Sequence, residues 1–81
     1  MEKVMIFEKL QSILSVQFNV DKNDISFDTD FFKDLNADSL DIIDLVSTIS
    51  GEFDLDFDEN KISNFKTVGD VVKYIEENTE N

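Results

Sequence analysis

Residues 38–53 read DSLDIIDLVSTISGEF, and this stretch decides the fold. At about 100° per residue, Ile42, Ile43, Leu45, Val46, Ile49 and Phe53 share one arc, the pattern of an amphipathic helix with one buried face. Asp38 suits the N-cap, and Asp41 supplies a carboxylate three residues on, in the manner of a capping box. Acidic side chains in a first turn are also favoured by the helix dipole. The spacing predicts a helix from Ser39 to about Phe53. Leu40 lies outside the buried arc, among Asp44, Ser47 and Gly51.

On the N-terminal side, Val4, Phe7, Leu10, Leu14 and Phe18 fall on one helical face, widened by Ile6 and Ile13. Glu8, Lys9, Ser12 and Ser15 lie opposite. An amphipathic helix over about residues 3–17 follows. Between the two helices, residues 19–37 are rich in Asp, Asn, Ser and Thr, yet Ile25, Phe27, Phe31 and Leu35 recur through them. Long structureless loops are uncommon in compact domains, so an ordered connection pinned by those apolar residues is expected. On the C-terminal side, a short helical turn is expected around Asn60 to Phe65, with Ile62 and Phe65 facing inward. Val68, Val71, Val72 and Ile75 sit at i, i+3, i+4 and i+7, with Thr67 as cap and Asp70 three residues later. Glu76 to Asn81 is expected to fray. The expected fold is all-α: a small four-helix bundle, three main helices plus one short one, with a long ordered loop between the first two.

Composition agrees. The chain has 81 residues, and residues 1–81 read as a single domain with one small core. A chain of this size buries only about 60% of its extended-chain surface, so modest stability is expected. Proline is absent and glycine occurs only as Gly51 and Gly69, which suits helices better than a turn-rich β domain. Met1 to Phe18 has no continuous apolar core and carries Glu2 and Glu8, unlike a signal peptide or membrane span. The chain reads as soluble, cytoplasmic and monomeric.

Cysteine and histidine are both absent. Disulfides and thiolate metal sites are thereby excluded, and the commonest general base and metal ligand are missing. Any chemistry would run on carboxylates, hydroxyls, lysines or a borrowed cofactor. The net charge is −12, from 19 acidic and 7 basic residues. A field of this sign repels nucleic acid and anionic membranes and attracts basic protein surfaces. The acidity is concentrated: between Lys33 and Lys61 there are nine acidic side chains and no basic one. A one-signed stretch of this kind has the character of a docking surface.

Asp54-Leu55-Asp56-Phe57-Asp58 invites comparison with a calcium-binding EF-hand. That loop needs Gly at its sixth position and Glu at its twelfth, where this chain has Glu59 and Phe65. No specific metal site is expected, and divalent cations would act only by relieving self-repulsion. The many Asp side chains show no cleft suited to a carboxylate-pair hydrolase, so no enzyme is expected.

If Asp38 caps the second helix, Ser39 is its first residue. A hydroxyl there is accessible and suits attachment of a phosphate ester, because free backbone N–H groups and the helix dipole favour an anion. Leu40, ringed by Asp41 and Asp44, has the look of an apolar anchor in an acidic rim.

Asp34-Leu35-Asn36-Ala37-Asp38-Ser39-Leu40-Asp41, then Leu45-Val46 and Glu52-Phe53-Asp54, resemble the acyl carrier protein family. So does Thr67-Val68-Gly69-Asp70-Val71-Val72-Lys73-Tyr74-Ile75, and the likeness spans essentially the whole chain in order and spacing. The resemblance implies a carrier that does no catalysis itself. It implies that Ser39 receives 4'-phosphopantetheine from coenzyme A through a phosphopantetheinyl transferase. Acyl groups would travel as thioesters on that arm, which accords with a chain that has no thiol of its own. It further implies that Asp38, Leu40, Asp41 and Asp44 dock on partner enzymes of fatty acid or related lipid synthesis, such as ketosynthase, ketoreductase and malonyl transferase. Asn36 stands where the family usually has glycine, and asparagine tolerates left-handed backbone better than most residues. Ser47 replaces a common exposed methionine, Ser50 and Gly51 replace two common glutamates, and Phe57 lies near the place of a proline. A peptidyl carrier is disfavoured, because its Gly-Gly-x-Ser surroundings are absent. The competing reading is an acidic interaction module without a prosthetic group, which would need no Ser39.

Overall fold

The computed structural model describes residues 2–57 and 64–79. Three α-helices carry the fold: α1 (Lys3–Phe18), α2 (Ser39–Phe53) and α3 (Val68–Thr79). A 3-10 turn, Lys22–Asp24, interrupts the connection from α1 to α2. The expected turn over residues 60–65 lies mostly outside the described residues. Asn64 and Phe65, which are described, are not helical.

The core lies where the three helices meet, and α1 packs most extensively on α3. Ile6, Leu10 and Leu14 of α1, Leu45 and Ile49 of α2, and Val68, Val71, Val72 and Ile75 of α3 are buried together. Full burial of such side chains contributes roughly 1.5–3 kcal/mol each, which is how a chain this short offsets its conformational entropy. Two expected faces are corrected. On α1 the buried stripe is centred on Ile6, and Val4 is 61% exposed. The stripe that the core accepts runs Ile6, Leu10, Leu14 at steps of four, which carries Val4 round to solvent. On α2, Ile43 is 53% exposed and belongs with Leu40, not with the core arc. Finally, α3 runs on to Thr79, past the expected fraying at Glu76. Asn78 Nδ2 donates to the Tyr74 carbonyl (2.7 Å) and Thr79 Oγ1 to the Ile75 carbonyl (2.8 Å), side-chain bonds that tie the last turn back to the one before it.

The long connection is ordered as expected. Ile25 and Phe31 are buried, Phe27 and Leu35 half-buried. Phe27 stacks on Phe7 at 4.2 Å between centroids. Gln11 of α1 clamps the 3-10 turn, its Nε2 donating to the carbonyls of Lys22 (3.1 Å) and Ile25 (2.9 Å). The connection is also joined to the start of α3 by main-chain bonds: Phe31 N–H to Lys66 C=O (2.8 Å), Val68 N–H to Thr29 C=O (3.0 Å) and Gly69 N–H to Phe27 C=O (2.8 Å). The first two make one antiparallel bridge, Asp30 with Thr67. Gly69 is favoured by closeness: a Cβ there would stand 3.0 Å from the Phe27 carbonyl oxygen, so the loop would have to shift by a few tenths of an ångström.

With glycine scarce, left-handed backbone falls to Asn19, Asn36 and Asp54 (φ 55°, 56° and 52°). Asn and Asp are the non-glycine residues that pay least for this conformation. Asn19 and Asp54 end α1 and α2, where the next N–H of Val20 and Leu55 bonds back five residues to Ser15 and Ser50 C=O, both at 3.2 Å. Asn36 turns the chain just before α2, in place of the family's usual glycine.

Candidate functional site

The site is built by a helix start. Asp38 takes extended backbone, its Oδ1 accepts the Asp41 N–H (3.0 Å), and Asp41 Oδ2 accepts the Asp38 N–H (3.0 Å). This reciprocal cap places Ser39 as the first residue of α2, and Ser39 is exposed. Among the described residues, nothing hydrogen-bonds its hydroxyl, and the N–H groups of Ser39 and Leu40 have no acceptor. An oxygen in solvent beside two free main-chain donors at the positive end of a helix fits a phosphodiester. The capping carboxylates oppose that anion, but each is turned onto a backbone N–H and partly neutralised by it.

Two further bonds hold this end in place. Ala37 is nearly buried and its N–H donates to the Phe31 carbonyl (2.8 Å), tying the approach to the core. Gln17 Nε2, from the last turn of α1, donates to the Asp41 carbonyl (2.9 Å) and ties the first turn of α2. Sequence reading missed Gln17, because a long-range contact to a main-chain carbonyl leaves no periodic signature.

Of the expected docking residues, Asp38 and Asp44 are exposed and Leu40 is 70% exposed. Asp41 is half-buried with its carboxylate committed to the cap, so it shapes the site more than it meets partners. Ile43 joins Leu40 on the exposed face and was missed. On a helical wheel it stands about 60° from Leu40 and the same from Val46, so periodicity alone did not place it.

Elsewhere, two carboxylates are held below their ordinary range. For Asp30 the largest cause is the Lys33 N–H, with partial desolvation opposing it and the Phe32 N–H and the Lys33 and Lys66 charges assisting. Around Asp70 desolvation is the largest single influence and acts upward, yet the N–H groups of Lys66 and Thr67, a Thr67 side-chain bond and the Lys66 charge together outweigh it. Both groups organise the loop and α3, far in role from Ser39. The described residues contain no cluster of metal-ligating side chains, and no helix among them is long and apolar enough to cross a membrane.

Residues 8–75 match the family described as phosphopantetheine attachment site. The chain belongs to the acyl carrier protein family. It is 40% identical over 76 residues to the acyl carrier protein of Clostridium acetobutylicum, covering 94% of this chain and 99% of that one. It is 38% identical over 73 residues to that of Helicobacter acinonychis, covering 90% and 94%. A solved structure of the acyl carrier protein from Enterococcus faecalis aligns with a TM-score of 0.82 at 27% identity, covering 96% of this chain and 99% of that chain. The family's cofactor is phosphopantetheine and its role is that of a carrier, not a catalyst. An interaction module lacking a prosthetic group is therefore set aside. The bundle and its helix order are those of a carrier domain.

Proposed function

We propose that Ser39 is the attachment point, modified from coenzyme A by a phosphopantetheinyl transferase, and that residues 1–81 act as one monomeric carrier domain in the cytoplasm. The observation that carries this reading is the exposed, unengaged Ser39 hydroxyl at the first position of α2, set there by the Asp38–Asp41 cap. Once attached, phosphopantetheine supplies the thiol that holds acyl groups, a thiol this chain lacks. The protein's own residues do three things. The core and Gln17 hold the start of α2 still, the cap keeps Ser39 outside, and the acidic rim with Leu40 recruits enzymes.

In this reading Asp38 and Asp44 meet basic side chains of the transferase and of fatty acid synthesis enzymes such as ketosynthase, ketoreductase and malonyl transferase. Asp41 contributes chiefly by capping, and Leu40 enters a small apolar pocket. Encounters of this kind are brief and weakened by salt, which suits a carrier that must leave each enzyme.

Intact-mass measurement after incubation with coenzyme A and a transferase tests the attachment. The parent gains the mass of one phosphopantetheine and Ser39→Ala gains none, while both unfold at the same temperature because the hydroxyl makes no contact in the fold. A folded parent that stays unlabelled, or a labelled Ser39→Ala, sinks the assignment.

A further inference from the structure

A second surface adjoins the site. Between α1 and α2 runs a shallow groove whose walls include Ser12, Ile13 and Val16 on one side and Asp44 and Thr48 on the other. Val16 is 83% exposed, the most open of the large apolar side chains among the described residues. The polar hydroxyls here are spent on their own helices: Ser12 Oγ donates to the Glu8 carbonyl and Thr48 Oγ1 to the Asp44 carbonyl. Residues 12–18 carry no charge, so the groove has an apolar floor and a single formal charge, the Asp44 carboxylate. Among the described residues that carboxylate has no partner. Gln17 bonds to the Asp41 carbonyl at the groove's end, so the two walls are held together close to the start of α2.

We infer that an enzyme docked over Ser39 lays one lysine or arginine side chain in this groove, its methylene stem on Ile13 and Val16 and its cation at Asp44. The inference rests on the Ser39 reading and extends the docking face from α2 onto α1. Size supports it: a partner surface of about 800 Å² is a disc of roughly 16 Å radius. Asp44 lies five residues along α2 from Ser39, about 7.5 Å of helix rise, well within that disc. The chemistry fits as well, because long basic side chains lay apolar stems on apolar surface while the charged head seeks a carboxylate. A second copy of this chain is excluded as the occupant by its own charge of −12.

The transferase serves as the probe, with its KM and kcat for the carrier measured at low ionic strength. Val16→Lys is expected to raise KM about tenfold with kcat unchanged, since it sets a like charge beside the incoming cation. Val4→Lys makes the same change at a 61% exposed valine near the other end of α1 and is expected to alter KM less than about twofold. In an Asp44→Asn background Val16→Lys adds less than about threefold, because both act on one partner side chain. Thermal unfolding of each variant matches the parent, as both valines are exposed. Should Val16→Lys behave like Val4→Lys, or its effect persist undiminished beside Asp44→Asn, the groove assignment falls while labelling of Ser39 stands. A parent that cannot be labelled removes the Ser39 reading, and this one with it.

Discussion

The starts of α2 and α3 use one local device to opposite ends. Each is closed by a reciprocal cap: Asp38 with Asp41 in α2, Thr67 with Asp70 in α3, where Thr67 Oγ1 accepts the Asp70 N–H (3.3 Å) and Asp70 Oδ2 accepts the Thr67 N–H (3.0 Å). At α3 the capping side chains lie at the surface, but the residues that follow the cap are tied inward. Val68 is fully buried, three main-chain bonds join residues 66–69 to the 27–31 loop, and Gly69 lies against the Phe27 carbonyl. At α2 the cap faces water and leaves Ser39 and Leu40 exposed. A helix start can thus be either a joint of the fold or a presenting surface. What decides is whether the first helical residues donate to a packed loop, as Val68 and Gly69 do, or leave their donors to solvent, as Ser39 and Leu40 do.

Substitutions at the α3 joint should therefore change stability and leave labelling of the folded protein alone. Phe31→Ala gives the largest effect, about 3–5 kcal/mol lost in urea denaturation, since its fully buried ring fills the loop's side of the joint. A loss under about 1 kcal/mol would mean that the loop is not part of the core. Next come the two glycines, expected to differ in sign. Gly69→Ala forces a Cβ against a carbonyl and costs roughly 1–3 kcal/mol. Gly51→Ala, with nothing within 4 Å of the added atom, gains about 0.5–1 kcal/mol through helix propensity. Equal effects at both would erase the contrast between the two helices.

The smallest effect depends on pH. The Asp70 carboxyl titrates below its ordinary value of 3.8 in the folded chain, so the stability it contributes is fully present above that pH and is lost as pH falls through the folded value. Asp70→Asn should lower Tm at pH 7, and the gap from the parent should close below pH 3.8. A gap that stays constant with pH would show that the carboxylate's charge is not what the cap uses.

Local patterns were enough for much of this. The ends of α2 follow from Asp38, Asp41 and Phe53, and the left-handed turn at Asn36 follows from asparagine standing in a glycine's place. Ser39 was legible because a cap motif and first-turn position are near-neighbour properties. Ile43, Val4 and the reach of α3 to Thr79 were misjudged, each at the edge of an apolar stripe or the end of an element, where periodicity gives no margin. Gln11 and Gln17, which reach from α1 to main-chain carbonyls, carry no signal in their neighbours at all.

By itself, then, the order of residues determined three amphipathic helices, the N-caps of the second and third, the strongly acidic middle and the serine offered at a helix start. Those rest on contacts between residues a few places apart. Only the tertiary structure decided that Ile43 faces water, that Gly69 lies against the Phe27 carbonyl, that Gln17 secures the first turn of α2, and that Val16 and Asp44 share a groove. Each of these depends on which distant segment lies alongside, and packing of three helices at once, not the periodicity of any one, settles it.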